Sequence, residues 1–390
     1  MDIDARIRRR QHRADSQRLI REHGALSPVT HVEDPSGRGP AIERLLDYLD
    51  PVFDGRLPPN AYVHGPFGAG KTAVVTALFA RLDDLSVQSQ SVIHTSTRAS
   101  TSTAPRLVYV DLRETPSEFA FYRRVLDAVV EESIPEHGVG TEEIRDRLHE
   151  HLDRSGAGVV IAIDHVGSPR VDTSALRDRL DSLPDDARWL AVGRDAPEAC
   201  PFATAATETI EIDAYRRRVL IDVLMTRASE GLAQGALEHG LARRIAGWAD
   251  GNAHDALAAL FAAAEHTESR DETRLSAADV DAACDAIPRP DVSLGEVLAL
   301  PANKRRVLRA LVDLTDEERR SVTATAEAIG TDADVDLSTG TIERYLYELA
   351  EAGILERVPV ADGGGKGRMP SRVELRFPPT VFRKLYDLRR

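Results

Sequence analysis

Two cysteines and four lysines are all that the 390 residues contain of either type. Cys200 and Cys284 lie far apart and in no metal-ligand spacing, which excludes a disulfide framework or a cysteine-held zinc and fits a reducing interior. No apolar run approaches the roughly 20 residues of a membrane span, and the N-terminal stretch lacks the apolar centre of a signal peptide. A cytoplasmic setting is therefore expected, with no membrane partner. Apart from Lys71, Lys304, Lys366 and Lys384, every base is arginine, and the formal net charge is −14. An acidic, lysine-poor surface suits a salt-loaded cell, where carboxylates keep a protein hydrated. An ordinary acidic cytosolic protein has the same balance.

What is present is globular: 42% hydrophobic and 29% charged residues, over a length that allows two or three domains. The charge is unevenly placed. Residues 292–390 hold 16 acidic and 16 basic residues, whereas the first 291 hold 48 and 34. That break suggests a domain boundary.

Residues 1–24 are arginine-rich and without periodicity, so a loose basic arm is expected. A core over 25–213 follows. Strands are expected at Ala61–His64, Leu107–Leu112, Val159–Ile163, Trp189–Val192 and Thr209–Ile212. A helical stripe at Ala41–Leu49 precedes them, amphipathic helices at Ala73–Leu82 and Glu118–Glu131 lie between them, and the Ser/Thr-rich stretch 86–103 reads as a loop. Apolar strands interleaved with helices imply an α/β fold on a parallel sheet.

Residues 214–287 read as a small helical lid, including a capping box at Ser276 and Asp279. Pro288 and Pro290 make a stiff linker. Over 292–390, three helices (303–313, 322–329, 340–352) and a glycine-turn hairpin (354–358, 372–377) form the winged-helix pattern. His12, His23 and His137 stand in no metal-ligand spacing and read as solvated.

The most specific motif is Gly65-Pro-Phe-Gly68-Ala69-Gly70-Lys71-Thr72, which matches G-x-x-x-x-G-K-[ST] between an expected strand and an expected helix. Its glycines let backbone N–H groups curl around phosphates, and the helix opening at Ala73 adds its positive end. Lys71 should reach the outer phosphates and Thr72 should hold Mg²⁺. Further on, the strand Val159–Asp164 ends in a carboxylate placed to complete the Mg²⁺ shell. ATP or ADP with Mg²⁺ is the expected cofactor.

With these residues the chain resembles the archaeal origin-recognition initiators, AAA+ ATPases related to eukaryotic origin-recognition subunits and their loading factor. The resemblance runs from about Leu26 to the C-terminus. It rests on Leu26-Ser-Pro before Arg38, on Pro59–Gly65 leading into the P-loop, and on Ile212-Asp-Ala-Tyr215. Leu224-Met-Thr-Arg227-Ala, Gly251-Asn-Ala-His254-Asp-Ala-Leu and the winged-helix pattern complete it. It implies an AAA+ core, a helical lid and a DNA-binding winged helix, with Tyr215 and Arg227 as nucleotide contacts. It also implies double-stranded, origin-like DNA as a partner, with a replicative helicase or sister initiators as further ones.

Three positions depart from the family. Asp164 is followed by His165 where the family has the glutamate that polarises the attacking water. The sensor-1 asparagine corresponds to Arg194, and the sensor-2 arginine to His254. If His165, Arg194 and His254 hold the hydrolytic positions, the chain is a nucleotide switch with weak turnover. The expected recognition helix turns Glu343, Arg344 and Glu348 to solvent, a poor set for reading bases. Residues 357–390, by contrast, hold nine bases and three acids. DNA binding is thus expected through the wing, at Lys366 and Arg368. A nucleotide-gated transcription or signalling regulator with a winged helix remains the alternative. A clamp-loader-like subunit is disfavoured by the wing.

Overall fold

The computed structural model describes residues 18–93, 104–115, 117–130, 132–156, 158–290, 292–359 and 371–389. The chain divides into two compact units, His31–Ala214 and a second built from residues up to Thr30 together with Tyr215–Arg390.

The first unit opens with helix α2 (Gly39–Phe53), preceded in the chain by the one-turn helix α1 (His23–Leu26) of the second unit. Five strands follow: β1 (Ala61–His64), β2 (Arg106–Asp111), β3 (Val159–Asp164), β4 (Ala187–Val192) and β5 (Glu208–Glu211). They form one parallel sheet in the order β2-β3-β4-β1-β5. Helices α3 (Lys71–Ile93), α4 (Glu118–Val129), α5 (Thr141–Ser155) and α6 (Thr173–Asp181) connect the strands. β3 is buried at all six positions, as its unbroken run Val-Val-Ile-Ala-Ile predicts for a strand covered on both faces. One face packs Val160, Ala162, Leu190 and Val63 against α2 and α3. The other packs Ile161, Ile163 and Val110 against α4 and α5.

The expected strands are all present, within two residues at each end. The expected loop is not as read: α3 continues through residue 93, and only its later part, 94–103, lies outside the described residues. Ser86, Ser89 and Ser91 lower helix propensity, but they extend a helix already nucleated at the P-loop.

The second unit contains α7 (Arg217–Gly231), α8 (His239–Ala249), α9 (Ala253–Glu268) and α10 (Ala277–Asp285), then α11 (Leu294–Leu298). The winged helix follows as α12 (Ala302–Asp313), α13 (Val322–Ile329), α14 (Thr339–Glu351), the antiparallel pair β6 (Leu355–Pro359) and β7 (Ser371–Leu375), and α15 (Pro379–Leu388). The expected capping box holds: Ser276 caps Asp279 N–H, and the Asp279 carboxylate accepts from Ser276 N–H at 2.9 Å. One apolar core runs from Leu220 and Phe261 through Leu294 and Leu308 to Phe382. Lid and winged helix share this core within the second unit.

The expected basic arm needs correction at its C-terminal end. Residues 1–17 lie outside the described residues, but Leu19, Ile20 and Leu26 are buried in the second unit. Ile20 bridges Leu232, and Ala233 N–H donates to Leu19 O at 2.8 Å. A Cβ on Gly231 would lie 2.6 Å from Leu26 Cγ, so this glycine lets the segment seat against α7. Three apolar side chains among many arginines were enough to anchor it. No described helix is long and apolar enough to cross a membrane.

Candidate functional site

The P-loop joins β1 to α3, and its backbone explains its glycines. Gly65, Gly68 and Gly70 have φ of 148°, 71° and 77°, values that side-chain-bearing residues rarely adopt. A Cβ on Gly65 would stand 2.1 Å from Ile212 O, so only glycine lets the loop leave the sheet here. Ala69 is buried, and Gly70 O accepts Val74 N–H to start α3, with Thr72 and Ala73 in its first turn.

Lys71 is 9% exposed and curls back, donating to Gly65 O at 2.7 Å and Pro66 O at 2.8 Å. Burial pushes its ammonium down to about 8; the Asp164 charge opposes this, and Arg194 and Arg38 add to it. An ammonium held by two neutral carbonyls inside a glycine cradle has its positive charge poised for phosphate.

Asp164 closes β3 and is buried. Burial alone would push its carboxyl up, but His165, the Thr72 and Tyr109 hydroxyls and Arg113 hold it below the ordinary carboxylate value. Tyr109 donates to Oδ2 at 2.9 Å. Next to it in register, Asp111 of β2 is locked by Arg113, whose Nε lies 3.0 Å from both carboxylate oxygens. The structure thus brings Thr72 and Asp164 together as an ionised, hydrogen-bonded pair of hard oxygen donors, a set that suits Mg²⁺.

His165 follows Asp164 with φ of 67°, a left-handed conformation stabilised by its own N–H donating to Asp164 Oδ1 at 2.7 Å. Its buried Nε2 makes no hydrogen bond and lies 3.7 Å from Asp164 Oδ2 and 3.9 Å from Asp111 Oδ2. Arg194, just beyond β4, sits with its guanidinium 4.3 Å over the Phe67 ring of the P-loop. Tyr109, Asp111 and Arg113 belong to this site and were missed by sequence reasoning. Their signal was only a polar end on the apolar strand β2.

The remaining expected contacts, Tyr215, Arg227 and His254, lie in the second unit, each with partners there. Tyr215 is buried and its N–H donates to Gly251 O at 3.0 Å. Arg227 is 5% exposed and donates to Ser27 O at 2.7 Å and Thr30 O at 2.8 Å, tying the N-terminal segment to α7. His254 is buried on α9, and its Nε2 accepts from Leu294 N–H at 3.2 Å, capping the first turn of α11. Beside it, Arg289 lies 3.5 Å from Asp255 and 4.0 Å over the Trp248 ring. The position read as sensor 2 therefore joins lid to winged helix.

Replacing His254 with leucine would leave a buried N–H unpaired. Such a change is expected to cost about 1–3 kcal/mol in urea unfolding. His254→Gln, which keeps an acceptor, should recover most of the loss. Equal losses in both variants would show that the hydrogen bond is not what the site needs.

Residues 35–192 match the family of AAA ATPase domains. The chain is 24% identical over 369 residues to the ORC1-type DNA replication protein of Thermococcus kodakarensis, covering 88% of this chain and 85% of that one. It is also 24% identical over 396 residues to ORC1-type DNA replication protein 10 of Halobacterium salinarum, covering 94% and 91%. Among solved structures, the Aeropyrum pernix ORC1 protein in complex with DNA shares its fold at a TM-score of 0.62, with 22% identity over 94% of this chain and 96% of that one. The Aeropyrum pernix ORC2 protein in its ADPNP-ADP complexes gives 0.54, with 18% identity over 95% and 98%. The relatives span both units, and the P-loop geometry is complete. Across both units the chain is thus similar to the archaeal ORC1-type DNA replication proteins, and it carries an AAA ATPase domain followed by a winged helix.

Proposed function

We propose that the chain is an ATP-binding, DNA-binding protein that starts or regulates DNA replication in the cytoplasm, working as a nucleotide switch with weak hydrolysis. The observation that carries this reading is the convergence of Gly65, Lys71, Thr72 and Asp164. Lys71 would exchange its two carbonyl partners for phosphate oxygens, and backbone N–H groups of 68–72 would hold the remaining oxygens. Thr72 and Asp164 would hold Mg²⁺, which supplies charge neutralisation between phosphates when bound. Asp164 is already ionised, so no proton must leave to admit the cation.

Weak hydrolysis is supported by His165, whose Nε2 faces two carboxylates, and by Arg194, which stacks on Phe67. His254 is engaged with Leu294.

DNA as partner is supported by the Aeropyrum pernix ORC1 protein, whose structure is a complex with DNA. On α14, Arg344 lies 3.7 Å from Glu348, which also holds Lys304 of α12 at 2.8 Å, so the helix's one cation faces a carboxylate of its own helix. The wing tip, including Lys366 and Arg368, lies outside the described residues; its basic character is read from sequence.

Fluorescence anisotropy of a labelled duplex over a salt series, with ATP and with ADP, tests the reading. Lys366→Ala with Arg368→Ala should weaken binding about equally on all sequences and flatten the salt slope by about 2. Arg344→Ala should change little. If the wing variant binds like wild type while Arg344→Ala loses sequence preference, the recognition helix is the reader.

A further inference from the structure

In the second unit, three side chains from distant parts of the sequence converge: His23 of α1, and Glu265 and Glu268 of α9. Their ligand atoms all lie within 4.8 Å of one another, and each residue is half-buried. The two glutamates stand three apart on one helix, so their carboxylates share a face. His23 Nε2 lies 3.0 Å from Glu265 Oε1, with its ring tilted against Phe261 at 6.0 Å.

Both glutamates are already oriented by a further partner. Ile20 N–H donates to Glu268 Oε1 at 3.1 Å, and the Lys384 ammonium of α15 sits 3.3 Å from Glu265 Oε2. Ligands held in this way by an outer layer of hydrogen bonds are the usual architecture of protein metal sites.

We propose that His23, Glu265 and Glu268 form a binding site for a late first-row divalent cation of the Zn²⁺ type. One imidazole and two carboxylates suit such an ion, whereas Mg²⁺ favours six oxygens and retains water. The ring would coordinate through the Nε2 lone pair as a neutral imidazole with its proton on Nδ1. Lys384 stays on Oε2 as an orienting partner that also limits affinity by its charge. Three protein ligands leave at least one position for water. The ion would clip the N-terminal segment to the lid helix α9, beside the C-terminal helix α15. It would thereby replace one hydrogen bond by three coordinate bonds at the point where the beginning, middle and end of the chain meet.

The test is titration of the tag-free full chain with Co²⁺, followed by visible absorption and calorimetry, then displacement by Zn²⁺ and by Mg²⁺. Wild type should bind one equivalent at this site, with Zn²⁺ displacing Co²⁺ and millimolar Mg²⁺ failing to do so. His23→Gln and Glu268→Gln each keep a hydrogen-bonding group but remove a metal ligand. Both should weaken binding by more than the roughly 10- to 100-fold typical of losing an orienting partner. Metal should also raise the unfolding midpoint of wild type and of neither variant. Absence of Co²⁺ binding, or binding that is indifferent to both substitutions, overturns the proposal.

Discussion

Lys71→Ala is expected to reduce ATP and ADP retention by about 100-fold or more while leaving the fold intact. The expected loss follows from burial. Lys71 is 9% exposed and its ammonium donates to two backbone carbonyls, so a phosphate would meet a charge that water scarcely screens. Charge-assisted hydrogen bonds in such surroundings are worth about 1.5–3 kcal/mol each, and 1.4 kcal/mol is tenfold in affinity. The variant without nucleotide should be no less stable, because burying the ammonium is itself unfavourable. That cost appears as the lowering of Lys71 to about 8. A lowered lysine pKa means that the folded state binds fewer protons than the unfolded one above pH 8. Wild type should therefore gain stability relative to Lys71→Met as pH rises from about 8 towards 10.

Phosphate reverses the shift by favouring the charged form. At pH 8.5 nucleotide binding should take up a proton, visible as a calorimetric enthalpy that depends on the ionisation enthalpy of the buffer. At pH 7, where Lys71 is already largely protonated, its uptake should nearly vanish. If binding survives Lys71→Ala, or the pH 8.5 enthalpy is the same in every buffer, Lys71 is not the phosphate contact.

How far the sequence revealed this molecule depended on what each residue signals without knowledge of its surroundings. The P-loop glycines were legible because their spacing encodes a backbone path that only glycine follows, as the Gly65 approach to Ile212 O illustrates. β3 was legible as a continuous apolar run ending in Asp164. The helix α5 was harder: its stripe Ile144, Leu148 and Leu152 is embedded among acidic residues and arginines, so its mean hydropathy resembles a loop. α15 was missed for a similar reason, its Val381, Phe382 and Leu385 following a proline pair and interspersed with bases.

Roles proved less legible than folds. Arg227, read as a nucleotide contact, donates to Ser27 and Thr30, and His254, read as a hydrolytic position, accepts from Leu294. Nothing in a short motif reports which backbone groups a buried side chain will satisfy. The same limit hid His23, read as solvated because its partners Glu265 and Glu268 lie some 240 residues away.

His165→Glu is expected to raise ATP turnover by about 10²- to 10⁴-fold, the range of a positioned general base. The backbone at this position does not oppose the change. Its φ of 67° is secured by the residue's own N–H bonded to Asp164 Oδ1 at 2.7 Å, an interaction independent of the side chain. Glutamate adopts this conformation only several-fold less readily than histidine, a difference of under about 1 kcal/mol that should appear in stability rather than in rate. The imidazole now fills the space with an Nε2 that makes no hydrogen bond and lies within 4 Å of two carboxylates. A ring so placed offsets the charge of Asp111 and Asp164 but offers little to an attacking water. A glutamate would restore a carboxylate for that water, crowd three acids together and so raise the Mg²⁺ requirement. His165→Ala separates the two readings of the native residue. If histidine is only a counter-charge, the alanine variant should turn over as slowly as wild type, well below one ATP per minute in a phosphate-release assay. A rapid wild-type rate that collapses in His165→Ala would make the imidazole the base and the protein an active ATPase.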